Sequence, residues 1–184
     1  SGFPRAPIPE VALVRRHFSK EHLSDVAGEV RKELAGVGLA ERIKPGMRVA
    51  LTAGSRGVAN IALVLRTVAE ELKRLGAHPF IVPAMGSHGG ATAEGQVELI
   101  AEFGITEESM GVPILSSMDT VVLGTTSYGA TVHMDRNAYN ADAVIVVARV
   151  KNHTSFRAPS ESGLCQMMAI GLGTQRGAES IHDY

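Results

Sequence analysis

The stretch that most constrains this chain runs from the apolar segment Pro79-Phe-Ile-Val82, through Pro83-Ala-Met-Gly-Ser-His-Gly-Gly90, into a helical pattern beginning near Ala91. A short apolar run bounded by small residues reads as a buried strand. The glycines around His88 permit positive φ and close backbone approach, and the helix start offers unpaired N–H groups to an anion. A strand that delivers a histidine to a glycine-lined turn before a helix resembles an α/β active-site edge. In such sheets ligands gather beyond the carboxyl ends of the strands. The plainer alternative is a simple turn, with glycine for the bend and histidine for exposure.

The rest of the chain supports the first reading by alternating strand and helix. Arg48-Val-Ala-Leu-Thr52 reads as a buried strand that enters Ala53-Gly-Ser-Arg-Gly57 and a long helix to about Leu75. Ile61, Val64, Leu65, Val68 and Leu72 form the apolar face of that helix, and Gly76 ends it. With the strand at 79–83 this completes a β-α-β unit whose crossover is expected to be right-handed. An earlier helix is expected over 19–35, and another over 92–103 that buries Val97, Ile100 and Ala101. Val112-Pro-Ile-Leu115 suggests a short strand, and Val11-Ala-Leu-Val14, after a proline-bearing arm at 3–9, either a short strand or an apolar patch on that arm. The runs at 120–123 and 131–134 flank a glycine-bearing segment and suggest a hairpin or a loop at the sheet edge. Ala143-Val-Ile-Val-Val-Ala148 is the most hydrophobic run, expected to be central and covered on both faces. Together these predict an α/β fold, a Rossmann-like three-layer sandwich with a mostly parallel sheet and helices on both faces.

Composition narrows the function. The 184 residues suffice for one sizeable domain with a real core. A net charge of −1 gives no electrostatic footprint for nucleic acid or an acidic membrane. The single cysteine, Cys165, excludes an internal disulfide and any multi-cysteine zinc site, and fits a reducing, cytoplasmic home. The chain opens Ser1-Gly-Phe3 and stops at His182-Asp-Tyr184 without a visible closing element, so we expect a piece of a longer protein.

Three predicted strands end in residues suited to chemistry. Arg56 follows the strand at 48–52, His88 the strand at 79–83, and Lys151 and His153 the strand at 143–148. If these strands are parallel, their ends share one edge and the side chains can converge. An arginine fork suits a carboxylate or phosphate, and two histidines suit proton transfer near neutral pH. His133 lies off this edge and reads as an ordinary strand residue. Gly54-Ser-Arg-Gly57 lacks the spacing of a nucleophile elbow, and Gly171-Leu-Gly173 lacks that of a dinucleotide loop.

The ordered series Gly54-Ser-Arg-Gly57, Met85-Gly-Ser-His-Gly-Gly90, Val150-Lys-Asn-His-Thr-Ser-Phe156 and Glu161-Ser-Gly163 to His182 resembles the nickel-dependent lactate racemase family, in its N-terminal catalytic domain. The resemblance spans about 45–182. It implies a racemase or epimerase acting on a small 2-hydroxy acid, with a nickel-pincer nucleotide exchanging hydride at carbon 2. It makes His88 and His153 the acid/base pair, Arg56 the carboxylate clamp and His182 the nickel ligand. Ser55, Gly89, Gly90, Lys151 and Gln166 fall where the cofactor would be held. Position 166, where the family pattern has the lysine that tethers the cofactor, is Gln, and the acidic residue of the first loop is replaced by Ala53. Either the cofactor binds without that tether, Lys151 substitutes for it, or the chemistry differs. The resemblance also implies a second, C-terminal domain beyond this chain. Its expected partner is a small carboxylate, and a homo-oligomer is compatible with it.

Two rival readings stay open on the same residues. One is a non-catalytic module holding an anionic metabolite or nucleotide through Arg56, the Gly86–Gly90 loop and Lys151. The other is a metal-independent lyase or dehydratase that uses the two histidines for proton transfer.

Overall fold

The computed structural model describes residues 11–152, 157 and 161–182; the arm at 3–9 and His153 lie outside them. Its organising element is β1 (Arg48–Ala53), which is buried at every position after Arg48. β1 pairs in parallel with β2 (His78–Pro83) on one side and with β5 (Ala143–Ile145) on the other, giving the order β2-β1-β5. Two helices, α1 (Val26–Gly36) and the short α2 (Leu39–Arg42), precede β1, and between β1 and β2 runs α3 (Ile61–Arg74), whose Ile61, Leu65, Val68 and Leu72 are buried as the apolar spacing predicts. Each fully buried leucine of that stripe contributes roughly 1.5–3 kcal/mol of transfer free energy.

Alternation along β1 sends Val49, Leu51 and Ala53 to one face of the sheet, where α3, Ile100 of α4 (Ala93–Ala101) and Met110 of the short α5 (Glu107–Met110) close the larger core. Ala50, with Phe80 and Val82 of β2, faces a smaller core closed by Ala138 of α6 (Arg136–Tyr139) and by Leu172. Helical segments therefore cover both faces, and the fold is α/β with a parallel three-stranded sheet. An antiparallel pair, β3 (Thr120–Thr125) and β4 (Thr131–Asp135), forms the expected hairpin, but as a two-stranded sheet of its own and not at the edge of the parallel one. Ile114 makes a single parallel bridge to Ile81, so the run at 112–115 only touches the sheet.

Four expectations are corrected. The first helix, α1 (Val26–Gly36), begins after Asp25 because that carboxylate accepts the Gly28 N–H at 2.8 Å and caps it, leaving Leu23 exposed outside. The run at 143–148 is neither central nor fully strand. β5 stops at Ile145, lies at the sheet edge and is half-buried, because β1 holds the central place. Residues 11–14 form no strand and are exposed. Along α4 the buried positions are Gln96 and Ile100, with Ala101 exposed, because Gln96 points inward to bind backbone.

Candidate functional site

Because β1, β2 and β5 are parallel, their carboxyl ends emerge on one edge. There a cavity of about 660 Å³ is lined by Arg56 after β1, His88 after β2 and Lys151 after β5. Its volume is in the range of small-molecule and cofactor sites. The floor opens where β5 leaves the ladder. Beyond the Leu51–Ile145 pair, the Thr52 hydroxyl takes over from the backbone. It accepts the Val147 N–H at 2.9 Å and lies 3.4 Å from the Val147 carbonyl, to which it donates. The buried hydroxyl satisfies the peptide groups that the missing strand pairing frees, as buried backbone requires.

Opposite the strand ends, the far wall is a helical segment made of a turn at Leu164–Gln166 (α7), a π-helical turn at Met167–Gly171, and α8 (Thr174–His182). Small residues let it approach. A Cβ on Gly171 would stand 2.7 Å from the Ala84 carbonyl oxygen, and one on Gly54 would stand 2.9 Å from Met167 Cε. Gly86 N–H donates to the Gly171 carbonyl at 3.3 Å, tying the histidine loop to this wall. α8 is braced from outside by the hairpin, where Ser180 donates to the Thr131 carbonyl at 2.8 Å. His182 and Gln166 thereby reach the cavity wall. Gln166 Oε1 accepts from Ser162 Oγ at 2.9 Å.

His88 is the best-defined group. A hydrogen bond joins its Nδ1 to Ser55 Oγ, so Nε2 is the nitrogen left for a ligand. When Nδ1–H donates to the hydroxyl, Nε2 is a lone-pair base. When the hydroxyl donates to Nδ1, Nε2 carries the proton and is an acid. Desolvation holds the imidazole below its ordinary pKa, and the Arg56 guanidinium adds to that. It is therefore neutral at neutral pH. Below the ring, Gln96 Nε2 donates to the Gly86 carbonyl at 2.9 Å and to the His88 carbonyl at 3.2 Å.

Of the residues expected from the sequence, Ser55, Arg56, His88, Lys151, Gln166 and His182 line this one cavity. Gly89 and Gly90 stand in the single 3₁₀ turn Gly89–Ala91 and are not on its wall. Gly89 packs against α4, where a Cβ would stand 2.8 Å from Gln96 N, whereas Gly90 faces open space. His133 is an ordinary β4 residue, hydrogen-bonded through Nδ1 to Thr120 Oγ1 at 3.0 Å. The sequence reading missed Thr52, Gln96 and Arg149. Arg149 lines the cavity beside Lys151. For Gln96 a signal existed: it lies four residues before Ile100, on the stripe that must be buried. Among the described residues lining the cavity, Arg56, Arg149 and Lys151 are cationic and none is Asp or Glu. Among the described residues, no group of three His, Cys, Asp or Glu side chains could hold a metal ion.

Fold and site define a class: a parallel α/β domain with a cation-lined, histidine-bearing cavity at the carboxyl edge of its sheet. The family model of the lactate racemase N-terminal domain matches residues 9–158, and the chain belongs to that family. No curated protein matches it. Ser55, Arg56, His88 and Lys151 lie inside the matched segment, and Gln166 and His182 lie beyond it. No helix among the described residues is long and apolar enough to cross a membrane.

Proposed function

We propose that this domain racemises or epimerises a small 2-hydroxy acid. The observation that carries the reading is the convergence of Arg56, His88 and His182 on one cavity, in a member of the lactate racemase N-terminal family. Arg56 holds the substrate carboxylate with its planar fork. His88, kept neutral, takes the hydroxyl proton on Nε2 and returns it, with Ser55 exchanging donor and acceptor roles at Nδ1. Inversion needs a second acid/base group, and the family resemblance assigns that role to His153.

The residues present fit a nickel-pincer nucleotide held without a covalent tether. The His182 imidazole on the cavity wall would give the nickel of such a group a nitrogen ligand. Gln166 carries an amide and cannot form the amine linkage, and its oxygen is engaged by Ser162. Lys151 and Arg149 are the cations available to a nucleotide phosphate. When bound, such a group supplies the hydride acceptor that carbon 2 requires.

The test is a panel of single-enantiomer 2-hydroxy acids in D2O, using the longest natural form co-produced with cofactor-making enzymes. Inversion with carbon-bound hydrogen retained is expected, with nickel bound and lost in His182→Ala. Solvent deuterium appearing on carbon would overturn the hydride reading in favour of the metal-independent lyase or dehydratase. Binding without turnover would favour the anion-binding module, the reading to which Gln166 lends weight.

A further inference from the structure

We propose that Gln96 is a positioning residue for His88, acting as a buried clamp on the loop that presents the imidazole. The proposal rests on the reading of His88 as the acid/base group.

Three observations converge on it. Gln96 is 1% exposed, so its amide has no water to fall back on. Its Nε2 has two hydrogens, and they go to the Gly86 carbonyl at 2.9 Å and the His88 carbonyl at 3.2 Å. The bracketed segment is the one that turns the chain out of β2. Gly86 has φ +62°, and the His88 N–H closes the turn on the Met85 carbonyl at 3.2 Å. With both carbonyls fixed to one planar amide, the His88 backbone has little freedom to rotate, and its ring is delivered to Ser55 and the cavity.

The helix that carries the clamp is itself fixed on the loop. Thr92 Oγ1 accepts the Gly95 N–H at 3.1 Å and caps α4. A Cβ on Gly95 would stand 2.1 Å from the Gly89 carbonyl oxygen, so only glycine allows helix and loop to lie this close. A side chain without donors at position 96 leaves two buried carbonyls unpaired, and the loop is then expected to move outward to reach water. The ring moves with it, away from Ser55 and from the burial and Arg56 charge that lower its pKa. A displacement of about 1 Å in a reacting group can cost about a hundredfold in rate.

The experiment is an NMR titration of the histidine rings in the whole chain, with His88 assigned by His88→Gln. In Gln96→Leu the His88 midpoint is expected to rise toward that of an exposed histidine. Its Nδ1 and Nε2 shifts should lose the imbalance that the Ser55 contact imposes. Ile100→Val, which weakens the same helix away from the loop, should leave the His88 midpoint in place. The unmutated chain supplies a measurement that does not depend on the variant folding: both Gln96 Nε2 hydrogens should be protected from solvent exchange. An unmoved His88 midpoint in Gln96→Leu, or rapid exchange of those amide hydrogens, overturns the proposal. If the midpoint moves while His88→Gln retains turnover in the hydroxy-acid panel, the clamp stands and the acid/base reading falls.

Discussion

A histidine serves as a base at neutral pH only if it is neutral there and its free nitrogen faces the ligand. His88 meets the first condition through desolvation and the neighbouring Arg56 charge, and the second through its Nδ1 contact with Ser55. Its folded pKa is depressed, so the neutral form persists above that value and is lost as pH falls through it. Activity should therefore show an acidic limb below the ordinary histidine range. Arg56→Gln removes one of the two causes and should move that limb to higher pH, besides weakening carboxylate binding. A limb that stays put in the pH profile of kcat/KM would detach Arg56 from His88. His88→Ala should cost about 10²- to 10⁴-fold in kcat, the usual range for a lost acid/base group. An unchanged kcat in the same assay removes His88 from the chemistry. Arg56, His88 and Lys151 were legible in the sequence because each follows an apolar run, and parallel pairing is enough to bring such ends together. Gln96 and Thr52 were not, because their worth lies in which buried carbonyls and N–H groups they meet, and no pattern of residue types records that.

Elements were legible where periodicity is strong and poorly bounded where a cap decides. The stripe of α3 declares itself, whereas the start of α1 depends on a single carboxylate, Asp25, accepting a backbone N–H. The run at 143–148 misleads because hydrophobicity marks burial, not pairing. After Ile145 its apolar residues help wall the cavity while Thr52 replaces the ladder. α6 shows a cap with an electrostatic cost. Asp135 accepts the Ala138 N–H at 2.8 Å but is buried, and desolvation raises its pKa to about 6, against the opposing pull of the cap hydrogen bonds. Here the folded value exceeds the ordinary 3.8, so the native chain binds this proton more tightly than the unfolded one. Stability from this group is thus fully present below pH 3.8, falls as pH rises through the window up to about 6, and is flat above it. At roughly 1.4 kcal/mol per pKa unit the loss is on the order of 3 kcal/mol. Asp135→Asn keeps a capping oxygen and drops the charge. Its Tm relative to the parent should therefore climb across that window and level off above it. A difference in Tm independent of pH would show that the carboxylate is ionised at no cost. The effect matters for the site because the Asp135 N–H also holds the Leu172 carbonyl at 2.6 Å, beside the wall that bears His182.

On the scale of the molecule, a net charge of −1 conceals a strong local asymmetry. The described cavity wall gathers Arg56, Arg149 and Lys151 and contributes no carboxylate, while many of the chain's other charges are spent in exposed pairs such as Arg31 with Glu70 and Arg74 with Glu71. Exposed pairs of that kind add little stability. Like charges left together around a cavity disfavour the empty state and are relieved by an anion. Recognition should accordingly be electrostatic and sensitive to screening. Affinity for a 2-hydroxy carboxylate should drop severalfold between about 0.01 M and about 0.15 M salt, as the screening length contracts from about 30 Å to about 8 Å. The corresponding 2-hydroxy amide, equal in shape and uncharged, should bind weakly and show almost no such dependence. Isothermal titration of the two ligands across that range measures both slopes. Removing Arg149, which lines the cavity with Lys151, should flatten the carboxylate slope without abolishing binding, because Arg56 remains as the clamp. Equal slopes for acid and amide would mean that shape and hydrogen bonding select the ligand, and that the clustered cations answer to some other anion at the same edge.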